Sequence, residues 1–171
     1  MIDRIIAPIR PQIDRFEERL KQVLTSDIGL VQGMADYLLD NRGKHFRPAL
    51  SLLSAQAVGR CSDRTIDAAV GIEMIHLAAL IHDDVIDSTA FRRGAQVISS
   101  RWGNQAAVLM GDFLLARALQ VLVGLRSLRI IDAATRAAQS LIEGEILEIQ
   151  CRGEEEVAVY FNVIDKKTAS L

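Results

Sequence analysis

The segment Thr65–Asp87 reads TIDAAVGIEMIHLAALIHDDVID. Its apolar residues recur at three- and four-residue spacing, without proline and without sustained alternation, which predicts one long helix. The last turn carries Asp83, Asp84 and Asp87. At 3.6 residues per turn, Asp83 and Asp87 share a face, with Asp84 beside them. Carboxylates at a helix C-terminus oppose the macrodipole and repel one another, so the arrangement costs stability unless a cation is bound. Donors that are all oxygen favour a hard ion. Mg²⁺ takes one or two carboxylates and completes its shell with water and substrate phosphate oxygens, so the implied substrate is a diphosphate. A lone DDxxD pattern is more often a solvated acidic helix end, and only its surroundings change that reading.

Outward from this helix the same periodicity holds almost everywhere, and the prediction is an all-α chain forming one domain over 1–171. A first helix covers about Asp14 to Leu24, with Ile13, Phe16, Leu20 and Leu24 on one stripe, and a second covers about Asp27 to Leu39. Pro48 suits the first turn of a third, LSLLSAQAVG, which ends near Gly59. Ser62 or Asp63 can cap the long helix. FRRGAQVISSRWG (91–103) reads as loop with a short helix, followed by helices over about Asn104–Leu122 and Ser127–Arg152. Another helix begins at Glu154 and is still in progress at Leu171, as in a chain cut from a longer one.

Twenty basic and twenty-two acidic residues leave a formal charge of −2, which excludes the global basic field of a nucleic-acid binder. Anions must then be bound by local clusters. No apolar run approaches the length of a transmembrane segment, and the charges in MIDRIIAPIRPQIDRFEERL come too early for a signal peptide. A cytoplasmic protein is expected. Cys61 and Cys151 lie far apart with no ligand spacing, and read as reduced structural thiols.

A histidine and three basic groups flank the aspartates. His76 lies seven residues before Asp83, on the same helical face. After Asp87, FRRG offers the paired guanidinium forks of Arg92 and Arg93 to phosphate oxygens. GKHFRP (43–48) places Lys44 and Arg47 around a helix start, where free N–H groups also favour anions, and Lys166, Lys167 and Thr168 follow near the chain's end. Each group alone is unremarkable; an acidic trio with three separate basic groups is what two diphosphates bridged by metal require.

In order and separation, GKHFRP, IEMIHLAALIHDDVIDSTAFRRG, WGNQAAVLMGDFLLARAL, EGEILEI and KKTASL resemble the trans-prenyltransferases, particularly bacterial hexa-, hepta- and octaprenyl diphosphate synthases. The resemblance covers nearly the whole chain. It implies the N-terminal half of an orthogonal helical bundle of the isoprenoid synthase type, and a medium or long all-trans polyprenyl diphosphate as product. By the same resemblance, Asp83, Asp84 and Asp87 hold Mg²⁺ against an allylic diphosphate, and Arg92 contacts that diphosphate. Lys44, Arg47, His76 and Arg93 bind isopentenyl diphosphate, while Lys167 and Thr168 steady the allylic diphosphate. Catalysis then rests on Asp83, Asp84, Asp87, Arg92 and Lys167, in a homodimer. Ala78 and Ala79 stand where short-chain relatives carry bulky aromatics, so two small residues leave a product channel open. Gly111 with Asp112, and Glu143-Gly144-Glu145, are expected to serve helix packing and hydrogen bonding.

The sequence departs from the family in lacking the second aspartate-rich motif of the C-terminal half, which puts activity of the 171 residues in doubt, and in carrying GKH for the common double-glycine and lysine-arginine pattern. Two competing readings stand beside the prenyltransferase. Another class I terpenoid enzyme would leave GKHFRP and FRRG without a clear use. A non-catalytic helical partner would need no aspartates.

Overall fold

The computed structural model describes residues 6–41, 43–151 and 157–169. A 3₁₀ turn, Ala7–Ile9, leads into α1 (Arg10–Leu24), followed by α2 (Gly29–Asp40), α3 (Phe46–Val58) and α4 (Asp63–Ile86). A two-stranded hairpin, β1 (Phe91–Arg92) and β2 (Ala95–Gln96), separates these from α5 (Ile98–Trp102), α6 (Asn104–Gly124), α7 (Leu128–Gln150) and α8 (Val157–Ile164). A π-helical turn over Asp165–Ala169 closes the described chain. The all-α expectation is met. By its contacts the chain falls into two compact units, Met1–Leu125 and Arg126–Leu171.

The first unit is built on α4 packed along α6. Ala69, Val70, Met74, Ile75, Ala78 and Ile81 of α4 are buried, as are Ala107, Met110, Leu114, Ala118 and Leu122 of α6, the latter at steps of three and four. Small residues set how closely the helices approach: a Cβ at Gly71 would lie 2.6 Å from the Leu122 side chain. Leu114 and Leu122 are almost fully buried, and truncating such a leucine costs about 2–5 kcal/mol. α1 lies against α4 and contributes Ile13, Phe16, Leu20 and Leu24, the stripe its periodicity predicts. Ser62 starts α4 as expected, its backbone N–H donating to Thr65 Oγ1 at 3.1 Å.

One expectation is corrected. α4 and α6 are both long and apolar enough to cross a membrane by length and composition. Half of the apolar window of α4 and a third of that of α6 are buried inside the fold, and the two helices pack on each other, as core helices do. The 91–103 stretch also holds more than a loop and a short helix. Phe91 pairs with Gln96 and Arg92 with Ala95, and the turn between them has φ of 52° at Arg93 and 84° at Gly94. Two successive positive φ values are those of a type I′ turn, whose twist matches a two-residue hairpin.

In the second unit, α7 packs against α8 and the π-helical turn. A Cβ at Gly144 would fall 2.6 Å from the Lys167 backbone nitrogen, so that contact depends on glycine. The helix-packing expectation for Gly144 is thereby met.

Candidate diphosphate-binding site

Four residues drawn from three separate segments meet in one cleft of about 610 Å³: Lys44, Arg47, His76 and Arg93. Lys44 precedes α3, Arg47 lies in its first turn, His76 sits in the middle of α4, and Arg93 stands at the hairpin turn. Leu77 and Leu80 supply apolar wall, and Glu73 is the carboxylate of the lining. Three cations against one carboxylate give the cleft a positive lining in a chain with no net positive charge.

Arg47 Nη1 lies 3.1 Å from His76 Nε2. A guanidinium can only donate, so Nε2 accepts and the imidazole is neutral with its proton on Nδ1. Burial, and then the Arg47 charge, push the His76 pKa down to about 4, against a weaker upward pull from Glu73. Arg47 Nε is buried with no hydrogen-bond partner in the protein. A buried guanidinium N–H without an acceptor is costly, and a phosphate oxygen in the cleft would supply one.

His45, whose importance the sequence did not reveal, organises the cleft from below. It is buried in a left-handed conformation, φ 48° and ψ 46°, immediately before α3. Its Nδ1 is 3.2 Å from Glu73 Oε1, Nε2 is 3.8 Å from Glu17 Oε1, and the ring meets Phe16 edge-on at 5.1 Å. Alternation of exposed Lys44, buried His45, exposed Phe46 and half-buried Arg47 follows from that anchor. A histidine between Lys44 and Phe46-Arg47 reads as one more basic surface residue, and no sequence signal marks it as buried.

At the end of α4, Asp84 is buried and its Oδ1 accepts from Arg92 Nε at 3.0 Å and Nη2 at 2.8 Å. Asp83 is half-buried, and Asp87 is the exposed C-cap, its N–H donating to the Asp83 carbonyl at 2.8 Å. Among the described residues no three His, Cys, Asp or Glu side chains are gathered as a ready metal cage. An all-oxygen donor set that offers only one or two carboxylates at a time still fits Mg²⁺, which leaves most of its shell to water and phosphate. Ala78 is buried in the helix packing and Ala79 is half-buried.

His82 faces away from this cleft toward α6: its Nε2 lies 3.1 Å from the Val108 carbonyl and 3.6 Å from Asp112 Oδ1. A Cβ at Gly111 would come 2.2 Å from Nε2. Gly111 and Asp112 therefore serve close approach and polar contact, as expected.

Within the second unit, Lys167 Nζ lies 2.7 Å from Glu145 Oε1 and 2.6 Å from Glu148 Oε2, and Lys166 Nζ lies 2.6 Å from Glu143 Oε2. Burial alone would lower the Lys167 pKa, but the hydrogen bonds to Glu145 and Glu148 outweigh it and raise it above the usual lysine value. The Lys166 hydrogen bond holds the Glu143 carboxyl below its usual range. The expectation for Thr168 concerns a side chain outside the described residues.

The sequence profile of the polyprenyl synthetase family matches residues 29–171. The chain is 35% identical to an octaprenyl diphosphate synthase of Haemophilus influenzae over 99% of its length and 52% of that protein. It is also 35% identical to heptaprenyl diphosphate synthase component 2 of Geobacillus stearothermophilus, over 91% of this chain and 49% of that one. Its fold superposes on a crystal structure of a polyprenyl synthase from Caulobacter crescentus, complexed with calcium and isoprenyl diphosphate, with a TM-score of 0.95 at 31% identity, covering 99% of this chain and 52% of the other. The chain thus spans about half the length of the curated relatives it matches.

Proposed function

Because the chain belongs to the polyprenyl synthetase family, we propose that its residues are those of a Mg²⁺-dependent prenyltransferase joining an allylic diphosphate to isopentenyl diphosphate. The product is a medium or long all-trans polyprenyl diphosphate. The observation that carries this reading is the cleft itself, where Lys44, Arg47, His76 and Arg93 converge and the buried Arg47 Nε lacks a protein acceptor.

In this reading isopentenyl diphosphate lies in the cleft. Arg47 and Arg93 donate to its phosphate oxygens, Lys44 adds a mobile charge, and neutral His76 holds Arg47 by accepting its N–H. Asp83, Asp84 and Asp87 would hold Mg²⁺, which when bound supplies electrophilic stabilisation of the departing diphosphate. Arg92 adds a cationic donor for the allylic diphosphate. The allylic C–O bond breaks with its electron pair leaving on the diphosphate, and the alkene of isopentenyl diphosphate attacks the carbocation to form the new C–C bond. The proton lost from the condensed product passes to the departing diphosphate. His76 is unsuited to take it, because Nε2 already accepts from Arg47. Leu77 and Leu80 line the cleft with apolar surface, and Ala78 with Ala79 are proposed to leave room for a long tail.

A homodimer in the cytoplasm belongs to the same proposal. Exposed Val108, Leu109, Leu119 and Val123 on α6 support association through that helix. A second reading, a helical chain that works with a partner polypeptide, is favoured by the likeness to heptaprenyl diphosphate synthase component 2.

Calorimetric titration with isopentenyl diphosphate, and separately with a non-ionisable allylic diphosphate analogue and Mg²⁺, tests the assignment. Isopentenyl diphosphate binding lost in Arg47→Ala, and Mg²⁺-dependent analogue binding lost in Asp83→Ala, are expected. A folded chain that binds neither ligand would rule the reading out for these residues and leave the partner reading.

A further inference from the structure

Gly43 stands at the rim of the cleft on the non-helical segment leading to α3, and its Cα faces the end of the Arg93 side chain. A Cβ built there would lie 2.3 Å from Arg93 Nη1 and 3.4 Å from Arg93 Cζ, with no contact to backbone among its three nearest neighbours. Its bareness is therefore matched to one group, the guanidinium opposite.

The other end of Arg93 is held. Its backbone sits in the left-handed first position of the hairpin turn, with Gly94 following. The hairpin is tied to α2 by the Tyr37 hydroxyl, which donates to the Gln96 carbonyl at 2.7 Å, and Tyr37 is itself stacked edge-on with Trp102 at 5.2 Å. With the root anchored, what Arg93 meets at its tip decides where its charge lies. That charge is felt at His76, so the guanidinium is within electrostatic reach of the cleft's centre.

We propose that Gly43 is a positioning residue for the diphosphate cleft, its missing side chain forming the seat that holds the Arg93 guanidinium beside Lys44 and Arg47. This deepens the proposed function and rests on it. A methyl group at position 43 displaces only the flexible end of Arg93, so the fold is kept while one phosphate donor is lost. A charge-assisted hydrogen bond of this kind corresponds to about a tenfold change in affinity.

The test compares the wild-type chain with Gly43→Ala, Arg93→Ala and the double variant, using inorganic diphosphate as the probe in calorimetry. Gly43→Ala is expected to weaken binding about tenfold with an unchanged melting temperature, and to add nothing in the Arg93→Ala background. A Gly43→Ala loss that persists in full without Arg93 would overturn the proposal, because the glycine would then act on the ligand directly. The ¹⁵Nε–¹H resonance of Arg93 in the ligand-free protein gives an independent reading: it must shift or broaden in Gly43→Ala, and an unchanged signal sinks the proposal. Failure of the wild-type chain to bind diphosphate, with that resonance still responding, would count against the proposed function and leave the seat itself standing.

Discussion

Arg92 folds back across the end of α4 so that its Nε and Nη2 both donate to the same oxygen of buried Asp84, at 3.0 and 2.8 Å. One carboxylate thereby ties the hairpin to the helix. It also couples an aspartate of the proposed metal site to an arginine of the proposed diphosphate site without any ligand between them.

Removing one partner should reveal that coupling. In Arg92→Ala the Asp84 carboxylate stays buried without its guanidinium, and because Arg92 itself is two-fifths exposed, solvent screens part of the loss. A destabilisation of about 1–2 kcal/mol is expected in urea unfolding. Amide exchange should also quicken at Ala95 and Gln96, the strand paired with Arg92. Unchanged exchange there would show that Asp84 does not anchor the hairpin.

The His76 pKa of about 4 in the folded chain has a defined consequence for acid stability. An unfolded histidine takes up its proton near pH 6.5, whereas the folded one resists it until about pH 4. Between those values the unfolded state binds more protons, so stability falls as pH falls from about 6.5 to about 4 and is unaffected by this group above that window. The shift corresponds to about 3 kcal/mol. His76→Gln should flatten that part of the pH profile in chemical denaturation, and a profile as steep as wild type would contradict the assignment.

In the second unit the Lys167 ammonium is shared between buried Glu145 and exposed Glu148. Lys167→Met keeps length and apolar stem but leaves Glu145 without its cation, at a cost of about 1–3 kcal/mol. Hydrogen exchange should rise along the last two turns of α7 while α4 is unchanged. Restoration by Glu145→Gln in the same chain would show that the buried charge, rather than lysine packing, is responsible.

How much of this was legible beforehand depended on whether a residue's role is set by neighbours in sequence or across the fold. Ile13, Phe16, Leu20 and Leu24 announce their buried face because helical periodicity is a local property. The α4 and α6 helices were likewise recognisable, although their apolar length was underestimated. The hairpin was not, since each strand has two residues and its turn needs a positive φ at Arg93, a residue type that gives no such signal. His45 was hidden for a related reason: its burial comes from Glu73, Glu17 and Phe16, none of them nearby in sequence. The convergence of Lys44, Arg47, His76 and Arg93 followed from resemblance to the family; spacing alone could not have joined three separate segments.

α4 runs without interruption from the cleft to the aspartates. Seven residues separate His76 from Asp83, which at 1.5 Å per residue is a distance of about 10 Å along the axis. The helix therefore works as a gauge block, with a length fixed by peptide geometry and insensitive to loop movement. Such a gauge tolerates substitution far better than insertion or deletion. One residue added between positions 76 and 83 would swing the carboxylates about 100° around the axis, so drift in this lineage should leave the interval's count untouched even where its side chains change.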